Sequence, residues 1–127
     1  MLGSVRSDLK IMTWNVNGLL DRVKRGAMLR AAKRAGPDVL LLQETHLLGN
    51  NVPFLARFGF KTIYHAGFHR GSRGVAILIH NRFQFAVTRV WRDGRGRYLG
   101  LSGSHQGVDL SIICIYAPPS CLWNSYL

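Results

Sequence analysis

The sequence predicts a single domain of the α/β (α+β) class, and three observations carry that prediction. Residues 9–43 have the pattern of a strand, a helix and a buried strand. Between residues 60 and 118, short apolar segments alternate with turns, which is typical of paired strands. Hydrophobic residues make up 47% of the 127 residues, so the composition is that of a domain with a packed core.

The first strand is predicted in "LKIMTWNVNG", residues 9–18, and it extends to about Val16. Its alternating positions are Leu9, Ile11 and Thr13 against Lys10, Met12 and Trp14. The dipeptide Asn17-Gly18 is a turn signal and ends the strand.

A helix is predicted after Asp21, whose carboxylate can cap the first turn. Its apolar stripe is formed at i+4 spacing by Val23, Ala27, Ala31 and Ala35, and is widened by Met28 and Ala32. The basic residues Arg30, Lys33 and Arg34 fall on the other side. Gly36 and Pro37 end the helix, as a glycine C-cap followed by proline should.

The segment "DVLLLQE", residues 38–44, is apolar without alternation, which indicates a strand covered on both faces and able to lie parallel to the first. "NNVPFLARFG" reads as a short helix or turn. The segments "FKTIYHA", "RGVAILIH", "FQFAVTRVW", "RYLGLSGS" and "VDLSIICIYAP" follow as strands, and their close spacing predicts antiparallel hairpins. Phe54, Phe58 and Phe60 are expected to pack rather than to stack on bases.

Three polar residues close predicted strands. Asn15 and Glu44 end two strands that we expect to be neighbours, and Tyr116 ends a later one. Because α/β sheets place ligand sites at strand ends, an amide, a carboxylate and a phenol are expected to gather at one rim.

Glu44 is the only glutamate of the chain, and it follows a buried apolar run. Such a carboxylate must be paired, neutralised or bound to a cation, and Mg²⁺ commonly binds through one carboxylate with water and phosphate. The alternative is a salt bridge to one of the many arginines. Asn15 can orient water or bind phosphate, or it can be a turn residue. His46 can be a ligand, a base or a bystander; the histidines at 65, 69, 80 and 105 are given no role.

The net charge of +11, from 17 Lys+Arg against 6 Asp+Glu, favours a nucleic-acid partner over an acidic membrane surface. The segments "HRGSRG" and "DGRGR" combine glycines with arginines, and hairpin turns explain the glycines alone. We therefore expect phosphate contacts from Arg70, Arg73, Arg95 and Arg97.

No apolar run approaches the length of a membrane span, and the first ten residues lack the apolar stretch of a signal peptide. The chain is therefore expected to be intracellular, and a DNA partner would place it in the nucleus of a eukaryote. Cys114 is expected to pack as a small hydrophobe, and neither cysteine has a zinc-binding pattern.

Four motifs in order make the sequence recognisable: "MTWNVNGL", "DVLLLQETH", "RGVAILI" and "IICIYAP". They resemble the endonuclease/exonuclease/phosphatase family, and above all the endonucleases of non-LTR retrotransposons of the long interspersed element type. The resemblance covers residues 9–118. It leaves residues 1–8 as an N-terminal extension and 119–127 as a divergent tail.

The resemblance implies the deoxyribonuclease I-like fold, a four-layer α/β sandwich with two packed mixed β-sheets, and the hydrolysis of DNA phosphodiesters with Mg²⁺ or Mn²⁺. It implies that Glu44 is a metal ligand, that Asn15 lies at the catalytic site, and that Tyr116 contacts phosphate. Asn17 matches a second site position and is a further candidate at the metal. The expected partner is DNA, and no membrane is expected.

The sequence also departs from the family pattern. Pro119 stands where asparagine commonly follows "YAP", and the 127 residues contain no "GDFN"-type motif and no late histidine beside a serine-aspartate pair. Those second-half motifs supply the base that activates water. We therefore expect an inactive, truncated chain in which one sheet lacks most of its mate, with marginal stability or aggregation.

Three functions remain open at this point. The first is a metal-dependent DNA endonuclease, with an apurinic/apyrimidinic-type repair enzyme as a variant of it. The second is a non-catalytic remnant of a retrotransposon reading frame that binds nucleic acid without cutting it. A phosphatase for small molecules or lipids is the third, and the basic surface argues against it.

Overall fold

The computed structural model describes residues 8–69 and 71–117. Its elements are β1 (Ile11–Asn15), α1 (Arg22–Ala35), β2 (Val39–Gln43), a 3-10 helix (Gly49–Leu55), β3 (Phe60–Ala66), β4 (Val75–His80), β5 (Ala86–Arg92), β6 (Tyr98–His105) and β7 (Val108–Ile115). Each of these elements was predicted, with small differences at the ends. No helix within the described ranges is long and apolar enough to cross a membrane.

The strands form two sheets, which confirms the predicted α/β fold. The first sheet has the order β1-β2-β4-β3, in which β1 and β2 are parallel and the other neighbours are antiparallel. The second sheet is an antiparallel meander, β5-β6-β7. The expected parallel pairing of the first two strands and the later hairpins are both confirmed.

The sheets and helices stack in three layers. Helix α1 and the 3-10 helix cover one face of the first sheet through a core that includes Leu29, Leu55, Leu40 and Leu78. The second sheet packs on the opposite face through residues that include Val39, Ile77, Leu99, Leu101 and Ile112. Strand β2 is thus covered on both sides, as its unbroken apolar run predicts.

The expectation that one sheet lacks most of its mate was wrong. The two sheets bury a shared core, because β6 and β7 direct leucine, isoleucine and cysteine side chains onto β2 and β4. Cys114 belongs to this core, and burial raises the pKa of its thiol to about 11, as expected for a cysteine that packs as a hydrophobe. Among the described residues, no helix covers the outer face of the second sheet, where Ile113 and Ile115 are exposed.

The predicted caps of α1 are present. Asp21 accepts a hydrogen bond from the backbone N–H of Val23 at 3.1 Å, and Gly36 takes the left-handed conformation, with its N–H donated to the Ala32 carbonyl at 3.0 Å.

The buried face of α1 agrees with the expected one at Met28 and Ala32 and differs from it elsewhere. It is formed by Gly26, Met28, Leu29 and Ala32, whereas Val23 is 73% exposed. Leucine and methionine bury more apolar area than alanine, so the helix turns them toward the sheet. The spacing of the alanines at i+4 therefore did not identify the buried face of the helix.

A buried ion pair closes the end of the first sheet away from the predicted rim. Asp38, 5% exposed, accepts hydrogen bonds from the Lys10 backbone N–H and from Arg82 Nε, each at 3.0 Å. Arg82 also donates to the carbonyls of Gly36 and Pro37. The starts of β1 and β2 and the end of β4 are joined by this group.

At the other end, the chain beyond β2 is supported from beneath by Thr45 and His65. The fully buried Thr45 hydroxyl lies 3.0 Å from His65 Nε2 and accepts the Leu47 N–H at 3.4 Å. Burial, with a smaller contribution from the Arg92 charge, lowers the pKa of His65 from 6.5 to about 4. A neutral imidazole in strand β3 thus supports the segment that carries Glu44.

Replacing Asp38 tests the ion pair. We expect Asp38→Ala to lower the free energy of unfolding by about 2–3 kcal/mol. The substitution removes the carboxylate that accepts hydrogen bonds from the Lys10 backbone N–H and from Arg82 Nε, and these donors lose their partner. Urea titration measures the loss, with the exposed Asp109→Ala as the matched control. Equal midpoints for the two variants would contradict the role given to Asp38.

The lowered pKa of His65 predicts acid sensitivity. Between pH 6.5 and about 4 the unfolded chain holds a proton on His65 that the folded chain does not, so stability falls as the pH drops through this window. The loss from this group is at most about 3 kcal/mol. Urea unfolding at several pH values should show a shallower dependence in His65→Gln. The exposed His69→Gln should keep the wild-type dependence, and identical curves for all three proteins would refute the assignment.

Candidate metal- and phosphate-binding site

The ends of β1 and β2 bring the predicted amide and carboxylate together. Asn15 is the last residue of β1, and Glu44 directly follows β2. Asn15 Nδ2 donates a hydrogen bond to Glu44 Oε2 at 2.7 Å. The two residues are 29 positions apart in the chain, so only the parallel pairing of their strands makes them neighbours.

The other side of the Asn15 amide is also engaged. Its Oδ1 accepts the backbone N–H of Asn17 at 3.2 Å, which fixes the orientation of the amide toward Glu44. Asn17 is exposed, and its carbonyl accepts a hydrogen bond from Lys24 Nζ at 2.8 Å. Asn17 therefore lies at the rim, where its backbone N–H holds the Asn15 side chain in position.

The Glu44 carboxylate is partly exposed and is not ion-paired with an arginine of the described ranges. Its side chain is 24% exposed, and Oε1 lies 3.7 Å from His46 Nε2. His46 packs over Gly18, where an added Cβ would come within 2.6 Å of the imidazole. A carboxylate with one amide and one imidazole beside it, and with access to water, can accept a cation.

Tyr116 joins this group from the second sheet. It follows β7, and its backbone N–H donates to the Arg97 carbonyl at 2.7 Å. Burial and then the negative charge of Glu44 raise the pKa of the Tyr116 phenol, while Arg73 opposes the shift. The phenol therefore keeps its proton at neutral pH.

The arginines predicted to bind phosphate occupy different environments. Arg73 lies near Tyr116. Its guanidinium lies over the Phe68 ring, 4.4 Å from the ring centre, and its Nη1 donates a hydrogen bond to the Arg95 carbonyl at 3.3 Å. Arg95 is exposed. Arg97 is engaged internally, since its Nε donates to Asp93 at 2.6 Å. Arg70 lies outside the described residues.

The backbone at the rim is strained. In the described part of the chain, six residues other than glycine have positive φ, and four of them are at this rim: Asn17 at 49°, Glu44 at 55°, His46 at 60° and Arg73 at 52°. Left-handed backbone is unfavourable for such residues and persists where the surrounding contacts impose it. Backbone hydrogen bonds impose it here: His46 N–H donates to the Arg73 carbonyl at 2.8 Å, and Thr45 N–H to the Gly74 carbonyl at 3.0 Å.

The donors at the rim fit magnesium better than a softer metal. Within residues 8–69 and 71–117, no three His, Cys, Asp or Glu side chains are close enough to hold a metal together. Zinc would need such a set, whereas Mg²⁺ binds through one or two carboxylates and keeps several waters. Glu44, with Asn15 beside it, is a donor set of the magnesium kind.

Sequence reasoning missed the support beneath this site. His65 was placed among histidines at turns and given no role, but it lies within β3 and contacts Thr45. The contact spans 20 positions, and no local pattern announces it. The hydroxyl of the residue directly after Glu44 was the only local signal that the sequence offered.

Comparison with known proteins agrees with this geometry. The sequence profile described as "Endonuclease/Exonuclease/phosphatase family" matches residues 12–124. Among solved structures, the chain is similar to the AP endonuclease LMAP of Leishmania major, with 25% identity and a TM-score of 0.67 over 93% of this chain and 43% of that one.

Two further structures share the fold. Truncated TDP2 of Caenorhabditis elegans has 22% identity and a TM-score of 0.68, over 88% of this chain and 47% of that one. An AP endonuclease of Archaeoglobus fulgidus has 24% identity and a TM-score of 0.60, over 87% and 42%. The chain thus spans less than half the length of these structures. Since the family profile matches nearly the whole sequence, the chain belongs to the endonuclease/exonuclease/phosphatase family.

Proposed function

We propose that this chain carries the metal- and phosphate-binding part of a Mg²⁺- or Mn²⁺-dependent DNA endonuclease site of the retrotransposon type. The observation that carries the proposal is the 2.7 Å hydrogen bond between Asn15 and Glu44, beside a protonated Tyr116. Magnesium needs a carboxylate with open access, and a phosphodiester needs neutral or positive donors around it. The rim offers both.

Each residue has a proposed part. Glu44 would hold the metal ion, which when bound would supply positive charge for the negative charge that develops on the phosphate. Asn15 holds the Glu44 carboxylate in place through Nδ2, and Asn17 holds Asn15 through its backbone N–H. Asn17 remains a candidate for a second contact at the metal.

Tyr116 and Arg73 would bind the phosphodiester. A phenol that keeps its proton donates to a phosphate oxygen without adding negative charge beside Glu44, and Arg73 adds a positive charge to the same region. Arg95 would contact the flanking backbone from the exposed loop between β5 and β6. Arg97 would instead hold the shape of this loop, because its guanidinium is ion-paired with Asp93. Arg70, which lies outside the described residues, remains a candidate from the sequence alone.

We further propose that these 127 residues alone bind DNA without cutting it, because the resemblance assigns water activation to motifs that they do not contain. The basic charge supports DNA as the partner, and with it a nuclear location. An apurinic/apyrimidinic-type endonuclease is the second candidate, and the similarity to the AP endonuclease of Leishmania major favours it.

Metal binding tests the role of Glu44 directly. We expect Glu44→Gln to weaken Mn²⁺ binding at least tenfold, because it removes the one carboxylate of the proposed donor set. Titration of free Mn²⁺ by electron paramagnetic resonance gives the affinity without any activity. Asp109→Asn removes an exposed carboxylate elsewhere and should leave the affinity unchanged. If both substitutions weakened Mn²⁺ binding equally, the loss would reflect the overall charge of the protein and not a metal site at Glu44.

Nicking of supercoiled plasmid in Mg²⁺ tests activity. We expect no nicking above background from the wild-type chain or from Glu44→Ala, with intact DNA binding by the wild type.

Duplexes with and without one abasic site separate the two endonuclease candidates. Robust cleavage by the wild type that disappears in Glu44→Ala would show instead that the chain is an active nuclease, and the substrate cut would say of which kind.

A further inference from the structure

A line of cations and aromatic rings runs along helix α1, on the opposite side of the first sheet from β5–β7. Its members are Arg25, Arg30 and Lys33 of α1 and Phe54, Arg57 and Phe58 of the segment that the 3-10 helix begins. We call these six residues the α1 seam. Of the arginines expected to bind phosphate, the three that the structure describes (Arg73, Arg95 and Arg97) are not among them.

Two guanidinium groups of the α1 seam converge. A Cβ added at Gly26 would lie 3.4 Å from an Nη1 nitrogen of Arg30 and equally far from one of Arg57, so these nitrogens are at most 6.8 Å apart. Glycine inside a helix costs about 1 kcal/mol relative to alanine. Gly26 is buried in this structure, and without a Cβ there the two guanidinium groups can approach each other; an anion bound to both would relieve their repulsion.

The aromatic rings hold other cations of the α1 seam in place. Arg25 lies 4.7 Å from the ring centre of Phe54, and Phe58 has Arg57 at 4.8 Å and Lys33 at 5.4 Å. Phe60 is buried and Phe58 packs against the core, as expected, whereas Phe54 is 50% exposed. Phe58 has a positive φ of 57°, a strained conformation for a residue other than glycine.

The charges of the α1 seam are not neutralised within the described part of the chain. No carboxylate of those residues is ion-paired with Arg25, Arg30, Lys33 or Arg57. By contrast, Arg82 and Arg97 each have an aspartate at 3.0 Å or less. Arg25 Nη1 donates to the Leu19 carbonyl at 3.0 Å, which leaves its other nitrogens for acceptors. A guanidinium that stacks on a ring suits phosphate oxygens rather than bases.

We propose that the α1 seam is a second, sequence-independent contact surface for the phosphate backbone of duplex DNA, apart from the catalytic rim. The proposal rests on the proposed function for the choice of DNA as the polyanion. From Arg25 to Lys33 the helix rises about 12 Å, which matches about three phosphates of one strand. Lys24, next to Arg25, bonds the Asn17 carbonyl, so the α1 seam begins beside the rim.

The test compares two double variants that lose equal charge. Arg30→Gln with Arg57→Gln removes the converging pair, and Arg89→Gln with Arg92→Gln removes two exposed charges of β5 in the second sheet. Fluorescence anisotropy with a 20-base-pair duplex at several salt concentrations gives the slope of log K against log salt. We expect the seam variant to flatten the slope by about 1.8, for two phosphate contacts, and the control variant to leave it nearly unchanged.

The outcomes separate this inference from the proposed function. If the wild type does not bind DNA, the proposed function loses its partner and the α1 seam loses its ligand. Wild-type binding with equal slopes in the two variants would overturn the α1 seam alone. Vesicles with 30% phosphatidylserine form a further arm: binding there as tight as to DNA, and lost in the seam variant, would assign the surface to membranes instead. Thermal unfolding of each variant confirms that it is folded.

Discussion

The parallel pairing of β1 with β2 is the constraint on which the rest of the structure depends. The register sets Asn15 level with Gln43, so the next residue, Glu44, passes the end of its strand beside Asn15. Parallel neighbours need a crossover, and α1 supplies it while covering the sheet. One pairing thus builds the core on one face and brings the amide to the carboxylate at the rim.

Strand β2 has an acid just before its first residue and another just after its last, and their environments are opposite. Asp38 is buried, accepts several hydrogen bonds and is ion-paired with Arg82. Glu44 is partly exposed, accepts one hydrogen bond from an amide and has an imidazole at 3.7 Å. The chain has 17 basic residues, so an ion pair at Asp38 is expected. Glu44, by contrast, has no ion pair with an arginine among the described residues. The first stabilises the fold, and the second is the one suited to ligand chemistry.

Much of this was readable in the sequence because the signals are local. Asp21 and Gly36 mark the ends of α1, the unbroken "VLLL" run marks a doubly covered strand, and strand-end positions brought Asn15, Glu44 and Tyr116 toward one rim. The failures involve contacts between distant segments. Leu29 faces the sheet because of its size, and His65 meets Thr45 across 20 positions. The Asp93–Arg97 pair is local, but it depends on the geometry of the turn between the two residues. Periodicity and composition carry no information about such partners.

The left-handed backbone at the rim has a consequence for how this chain can change. At Glu44, His46 and Arg73, glycine would adopt the observed φ without penalty, so replacement by glycine should make the local backbone easier to form. The same replacement would delete the carboxylate, imidazole or guanidinium that gives each position its chemistry. At these three positions a gain in stability would therefore come with the loss of a side chain that lines the rim, so stability and ligand chemistry oppose each other there.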